Sequence, residues 1–403
     1  MSTDSKPREA REAEPAVLAL NAGSSSLKYA LFFAGSAPER ALAGEIDRVR
    51  DRDGTGYRQE IDFILGRIAE IGGLEGLAVA GHRVLHGGSR HRAPRRLDAG
   101  LMAELRRLTP LAPEHLPEQI ALIEALERRL PHLPQVACFD TAFHHHLPRE
   151  ARFLPLPRRY AAAGVQRYGF HGLAYEHLME ELSRLGEPAA ASGRVILAHL
   201  GNGASLAAVR AGRCIDTTMG FTPAAGLMMG RRSGDLDPGL VAYLARTEDM
   251  TAERFDRLVN HESGLLGISE TSSDMRALLK AEATDPRAAD AVAMFCYQVR
   301  KGIGAFAAVL GGLDLLVFSG GIGEHSAPVR TRICAELGFL GLGLDADANT
   351  AGAGLISDSN SRVRVHALPA DEELTIARSA CRLLGLGRPT SSHGNLPCRP
   401  ASP

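Results

Sequence analysis

The sequence predicts an α/β protein built from two related halves, and three observations carry that reading. Apolar runs with strand propensity alternate with amphipathic helical patterns along most of the chain. Three of these runs lead into glycine-rich turns: residues 17–20 before Asn21-Ala22-Gly23-Ser24-Ser25-Ser26-Leu27-Lys28, residues 195–200 before Gly201-Asn202-Gly203-Ala204-Ser205-Leu206, and residues 315–318 before Ser319-Gly320-Gly321-Ile322-Gly323-Glu324. The first two segments share an apolar run, a small-residue turn, a Ser-Leu pair and a second apolar run, with Ser26-Leu27 aligned on Ser205-Leu206. A period this long excludes a solenoid. Small residues let backbone N–H groups come close to an anion. Three such turns in one chain suggest a nucleotide held between duplicated halves.

In chain order, residues up to about Glu14 read as a solvated, disordered leader. Residues 17–157 alternate strands with helices, broken by proline-containing loops at 109–117 and 147–157. Residues 194–218 are strand-rich. Residues 222–238 form a long loop dense in Gly, Pro, Arg and Asp, a length that compact domains usually reserve for function. Helical patterns fill 239–310, including 290–310, and are followed by the strand at 315–318, the third turn and a helix from about Pro328. Residues 372–384 read as a closing helix. The tail from Gly387 is low in complexity and expected to be disordered.

Bulk properties narrow the function. A chain of 403 residues suggests two or three domains. Its 45% hydrophobic and 23% charged content is that of a soluble globular protein. A formal net charge of -1 argues against nucleic acid or an anionic membrane as partner. No apolar run reaches the length of a membrane span, and the first residues lack the apolar core of a signal peptide. The six cysteines show no C-x-x-C spacing, so free thiols in a cytoplasmic protein are expected and a zinc site is not. Lysine occurs only at positions 6, 28, 280 and 301. That draws notice to Lys28 beside the first turn, although a surface lysine on a strand would look the same.

Several polar residues stand at strand ends or in tight loops. Arg83 lies in G-H-R-V-L-H-G-G, Asp140 ends the run V-A-C-F, His171 lies in R-Y-G-F-H-G, Arg232 lies in G-R-R-S-G-D, and Glu372 opens the last helix. Each has a plain alternative: Asp140 a helix cap, Glu372 a dipole partner, the arginines surface ion pairs, His171 a satisfied core histidine. As a set they supply phosphoryl transfer, which needs charge stabilisation and in-line positioning more than covalent help. Carboxylates suit Mg²⁺, and Arg and His donors suit the equatorial oxygens of a moving phosphoryl group. The tract His144-His145-His146 points in three directions and reads as a polar segment beside the cleft, not a metal site.

In order and spacing these segments resemble the acetate kinase family of acyl-phosphate-forming kinases. The resemblance runs from about Val17 to Leu384. It is carried by N-A-G-S-S-S-L-K, G-H-R-V-L-H-G-G, C-F-D-T-A-F-H, R-Y-G-F-H-G, H-L-G-N-G-A-S-L, M-G-F-T-P-A-A-G-L-M-M-G, R-S-G-D-L-D-P-G, S-G-L-L-G-I-S, S-S-D-M-R and G-G-I-G-E. It implies two duplicated ribonuclease-H-like domains of the actin/sugar-kinase/Hsp70 type with the active site in the cleft between them. The implied division is a leader 1–14, a first domain 15–158 rejoined by the closing helix 373–386, a nucleotide-binding second domain 159–372 and a tail 387–403. The implied reaction is Mg²⁺-dependent (or Mn²⁺-dependent), reversible transfer of the ATP γ-phosphoryl group to acetate in a cytoplasmic homodimer. Propionate or butyrate is the alternative acid, and a catalytically inactive nucleotide-binding protein is the alternative class.

The resemblance also implies residue roles. Asn21, Ser24, Ser26 and Lys28 would line the first turn near phosphate, with Asn21 and Glu372 at the metal. Arg83 and Arg232 would hold the carboxylate and the moving phosphoryl group, with His171 and Asp140 completing the catalytic set. His199, Gly201, Asn202 and Gly203 would meet the nucleotide phosphates. Asp274, Arg276, Gly321, Ile322 and Gly323 would bind the adenosine. Leu85, Phe170 and Pro223 would wall the methyl pocket, and His115 would be a further cleft histidine. The chain departs from the family pattern at Glu114 and Leu116 (usually L-H-N-P), at Arg231 (usually Thr), at His325 (usually Asn), at Leu85 (usually Val) and at Leu173-Ala174-Tyr175 (usually T-S-H). Glu114 is expected either to point out to solvent or to pair with a nearby cation, with Arg231 the candidate. The larger Leu85 is expected to shorten the pocket and favour acetate.

Overall fold

The computed structural model describes residues 14–23, 26–35, 37–47, 57–352 and 354–387. The leader to residue 13, the tail from residue 388 and the role expected of Ser24 lie outside them.

The first hairpin sets the pattern. β1 (Ala16–Ala22) is A-V-L-A-L-N-A and is buried along its whole length, as expected of a central strand covered on both faces. It pairs antiparallel with β2 (Ser26–Ala34), which pairs antiparallel with β3 (Pro38–Asp47). On its other side β1 lies parallel to β4 (Leu77–Val84), and β4 lies parallel to β6 (Gln135–Phe139), which carries the short edge strand β5 (Arg95–Arg96). The order is β3-β2-β1-β4-β6-β5.

The second half repeats it. β7 (Arg194–Leu200), β8 (Ala204–Arg210) and β9 (Arg213–Thr217) form the antiparallel part, and β10 (Leu315–Ser319) and β12 (Arg364–Ala367) the parallel part. With β11 (Gly354–Leu355) at the edge, the order is β11-β12-β10-β7-β8-β9, the same sequence of strands displaced by six. The duplication is therefore a property of the topology. It does not extend to the serines: Ser26 Oγ bonds Glu45 on β3, whereas Ser205 lies opposite His199 on β7. Asn21 pairs with Lys28 but His199 pairs with Ser205, so the first connection is one residue longer and the two Ser-Leu pairs are not equivalent in register.

Helices cover both faces of each sheet. Leu18 and Leu20 pack on α1 (Arg58–Glu70) through Ile61, Ile64 and Ile68, and on α2 (Leu116–Arg129). Val17 and Ala19 point the other way, onto α5 (Glu372–Leu384), where Ile376, Ala377 and Ala380 complete a separate core. Gly81 on β4 permits this contact, because a Cβ there would sit 2.4 Å from Ile376. In the second half Ile196 and Ala198 pack against α4 (Pro286–Leu310), while Val195 and Leu197 face α3 (Gly172–Arg184). The long loop expected at 222–238 is there, between β9 and the helix Gly239–Thr247. The third glycine run, expected as a turn, begins the short helix Gly320–His325 directly after β10. The five described cysteines are free and buried. Among the described residues no helix is long and apolar enough to cross a membrane.

Candidate active site

The parallel strands of both sheets deliver their carboxyl ends to one cleft of about 420 Å³, the size of a small-molecule site. β1 brings Asn21, β4 brings Arg83 and Leu85, and β7 and its turn bring His199, Gly201, Asn202 and Gly203. Lys28, Ser26, His115, Phe170, His171, Pro223, Arg232, Gly321 and Glu372 also line the cleft.

Arg83 is the hub of the first half. Its Nε and Nη2 donate to Asp140 Oδ2 at 2.9 and 2.6 Å, and its Nη1 donates to Asn21 Oδ1 at 3.2 Å. Glu372 Oε2 stands 3.7 Å from the same Nη1. The Asn21 amide in turn donates to Glu372 and Glu373, both at 2.8 Å. Asp140 is neither a helix cap nor exposed: it follows β6, is fully buried, and its Oδ1 has no hydrogen-bond partner. Burial pushes its carboxyl up from the usual carboxylate range, against the pull of Arg83. Burial opposes the charge of Arg83, but Asp140 and Glu372 outweigh it and hold the guanidinium protonated. Glu372 is also penalised by burial, yet Arg83, His199 and Asn21 keep its carboxyl below the usual range.

The second half contributes a histidine and an arginine. His171 precedes α3 in a left-handed backbone conformation, φ 61°, which histidine adopts more readily than most residues. The next residue must be small: a Cβ on Gly172 would sit 2.1 Å from the Asp140 carbonyl. His171 Nδ1 bonds Ser205 Oγ at 2.9 Å, and its ring lies 4.7 Å from that of His199. Burial, with His199, Arg83 and Arg232 nearby, holds its imidazole well below the usual range, so it is neutral. Arg232 Nη1 donates to the Pro223 carbonyl at 2.7 Å. Burial and Arg83 lower this guanidinium to about 10, which leaves it charged. A Cβ on Gly203 would fall 2.9 Å from Arg232 Nη2 and 3.1 Å from His171 Nε2. These donors therefore converge on the backbone of the second glycine turn.

Leu85, Phe170 and Pro223 share this wall, as expected of an apolar pocket, and Gln119 fixes Leu85 by accepting its N–H at 2.9 Å. Asp274 and Arg276 stand apart from the cleft wall: Asp274 caps the helix Met275–Ala281 and pairs with Arg276. Gly321 lines the cleft, Gly323 is buried, and Ile322 packs on the core. His144 is a core residue bonded to the Phe170 carbonyl, and the rings of His145 and His146 lie 3.6 Å apart. Glu114 does not take Arg231. Its carboxylate bonds His261 of the second half at 2.5 Å, while the Arg231 side chain is exposed.

Among the described residues no three His, Cys, Asp or Glu side chains cluster as a preformed metal cage. The donors present are hard oxygens: the Glu372 carboxylate, the Asn21 amide and the unpaired buried Asp140 Oδ1. They suit Mg²⁺ or Mn²⁺ that arrives with phosphate and water as its remaining ligands.

The family model described as the acetokinase family matches residues 16–378. An acetate kinase of Rhodopseudomonas palustris is 44% identical over 92% of this chain and 99% of its own length. A propionate kinase of Citrobacter rodentium is 40% identical over 91% of this chain and 96% of its own. The crystal structure of Porphyromonas gingivalis acetate kinase superposes with a TM-score of 0.83 at 33% identity, covering 92% of this chain and all of that one.

Proposed function

The chain belongs to the acetokinase family, and from that premise we propose that it transfers the γ-phosphoryl group of ATP reversibly to acetate, giving acetyl phosphate and ADP. A carboxylate oxygen of acetate forms the new O–P bond as the bond from the γ-phosphorus to the β–γ bridging oxygen breaks, and ADP leaves with that electron pair. One observation carries the assignment of roles: Arg83, His171 and Arg232 reach one cleft from two different halves, with two of them aimed at Gly203.

Arg232 and His171 present N–H donors where charge builds on the equatorial oxygens. Arg83, locked by Asp140 and Asn21, orients the acid's carboxylate. Asn202, Gly201, Gly203 and His199 meet the nucleotide phosphates. Asp274, Arg276 and Gly321–Gly323 are assigned to the adenosine end. Asn21 and Glu372 would hold Mg²⁺ or Mn²⁺, with Asp140 behind them, and the bound ion would neutralise phosphate charge. Leu85, Phe170 and Pro223 enclose the methyl group. Purified protein with Mg·ATP and acetate should give a hydroxamate when acyl phosphate is trapped with hydroxylamine. No signal in either direction, with Mg²⁺ or Mn²⁺ and several phosphoryl donors, would overturn the reading. Propionate is the second candidate acid, favoured by the similarity to a propionate kinase.

The domain division is proposed at 158/159, with 373–386 returning to the first unit. The packing of α5 on β1, β2 and β4 supports it. A cytoplasmic homodimer is proposed. The helix Gly239–Thr247 buries none of its residues, and Leu236, Val241, Tyr243 and Tyr297 are exposed in the same half. The buried free thiols suit a reducing compartment. Light scattering at micromolar concentration tests the dimer.

A further inference from the structure

Tyr175 is one of the residues at which this chain departs from its family pattern, and the structure gives it a position with a chemical consequence. It follows His171 by one turn of α3, its N–H bonding the His171 carbonyl at 3.0 Å. Its ring is fully buried, and so is Ser205. The Tyr175 hydroxyl lies 2.5 Å from Ser205 Oγ, and Ser205 Oγ lies 2.9 Å from His171 Nδ1. Among the described residues Ser205 Oγ, on β8 opposite His199 of β7, is the hydrogen-bond partner of the Tyr175 hydroxyl.

The direction of this chain follows from donor accounting. A buried hydroxyl that leaves its proton without an acceptor is costly, and Ser205 Oγ is the acceptor within reach of the phenol. The phenolic proton then goes to Ser205 Oγ. Ser205, having accepted, donates its own proton to His171 Nδ1. An imidazole that accepts at Nδ1 carries its proton on Nε2, and Nε2 is the nitrogen beside Gly203 and Arg232 Nη2.

We propose that Tyr175 is a positioning residue: through Ser205 it locks His171 in the tautomer with the proton on Nε2, so that the ring offers the cleft a fixed donor. Neither Tyr175 nor Ser205 lines the cleft, so both act through His171. The proposal rests on the phosphoryl-transfer reading, in which that donor meets an equatorial oxygen. It also explains why a neutral histidine suffices: a preorganised N–H needs no net charge to stabilise developing charge. A second proton acceptor in place of the tyrosine would allow the relay to reverse, whereas the phenol has Ser205 Oγ to take its proton and one way to point.

The test uses the full chain labelled with ¹⁵N-histidine, its His171 signals assigned by their loss in His171→Gln. In the unsubstituted protein the ring should be neutral and protonated at Nε2. Tyr175→Phe keeps the ring and removes only the hydroxyl. It frees Ser205 to accept, so the Nδ1-protonated form should appear and turnover should fall at least about tenfold, toward the ~10²–10³-fold cost of losing a preorganised donor. KM for the acid should stay within about twofold. Ser205→Ala should do the same, and the double variant should be no slower than the slower single one, because both act along one path. Circular dichroism checks folding, and Ser205→Ala carries the test alone if Tyr175→Phe does not fold. A ring protonated at Nδ1 without substitution, unchanged tautomer and turnover in the variants, or additive losses in the double variant would each overturn the relay. If the unsubstituted protein transfers no phosphoryl group, the functional reading fails, while the tautomer still decides the relay.

Discussion

Substituting Gly203 by alanine tests the convergence of His171 and Arg232 without touching either side chain. The new Cβ would lie 2.9 Å from Arg232 Nη2 and 3.1 Å from His171 Nε2, where ordinary contact is 3.4–4 Å. Each group would have to retreat by about 0.3–0.5 Å or more. Neither is free to do so: Arg232 is tied to the Pro223 carbonyl and His171 to Ser205. A misplacement of about 1 Å can cost about 10²-fold, so half of that shift should lower turnover about tenfold, or ~1.4 kcal/mol of barrier. Gly203 does not occupy the left-handed region, so alanine adds no backbone strain and the fold should keep its stability within about 1 kcal/mol. Gly304, inside α4 with open space where a Cβ would go, is the control. Gly304→Ala should leave turnover alone and stabilise by about 0.5–1 kcal/mol. Hydroxamate formation reads turnover and urea titration reads stability. Turnover of Gly203→Ala within about twofold of the parent would refute the geometry. A loss matched by unfolding would mean that the damage is structural.

Arg83→Ala and Arg232→Ala should each lower turnover by about 10³–10⁵-fold, whereas Arg231→Ala, at an exposed side chain, should cost far less; equal losses at 231 and 232 would show that the wrong arginine was assigned. Leu85→Ala should shift preference from acetate toward propionate and butyrate in the same assay, and a parent enzyme that prefers butyrate would contradict the pocket. The fold should lose stability in acid. His82, His86 and His144 are held at about 4 by burial, below the unfolded value of 6.5, so unfolding takes up protons as pH falls. Stability that is full above about pH 6.5 should drain away toward pH 4, by up to about 1.4 kcal/mol per pH unit for each histidine. A urea midpoint flat across that range would rule this out.

The parts of the site that the sequence made legible are those fixed by local chemistry. A strand that ends in Asn21, Arg83 or Asp140 must present that residue at the sheet's carboxyl edge, and the parallel pairing of β1, β4 and β6 brings the three together. What stayed hidden depends on pairings between distant segments. Gln119 reaches Leu85 from α2, Glu373 shares the Asn21 amide with Glu372, and Ser205 meets Tyr175 from another element. No spacing in the sequence announces these. The Glu114–Arg231 pairing failed for the same reason: two unusual residues of opposite charge say nothing about direction, and Glu114 turns to His261 while Arg231 faces water. The Ser-Leu alignment failed because a turn longer by one residue changes which side chains face each other.

The two arginines also differ in a way that only the fold reveals. Arg83 has committed Nε, Nη1 and Nη2 to Asp140 and Asn21, with Glu372 close by, so its charge is already matched inside its own half. Arg232 is also largely shielded from water, but its side-chain hydrogen bond goes to a neutral carbonyl, and among the described residues no carboxylate stands within ion-pair distance of it. Keeping a buried cation without a partner is costly, and the lowered value of its guanidinium records that cost. An arriving anion removes the cost at Arg232 and gains much less at Arg83. The phosphoryl group should therefore draw most of its binding from the second half, with Arg83 acting as a rigid, pre-neutralised fork for the acid. The two arginine substitutions would then separate in their kinetics: loss of Arg232 should weaken nucleotide and acyl phosphate together, and loss of Arg83 should fall chiefly on turnover and on the acid.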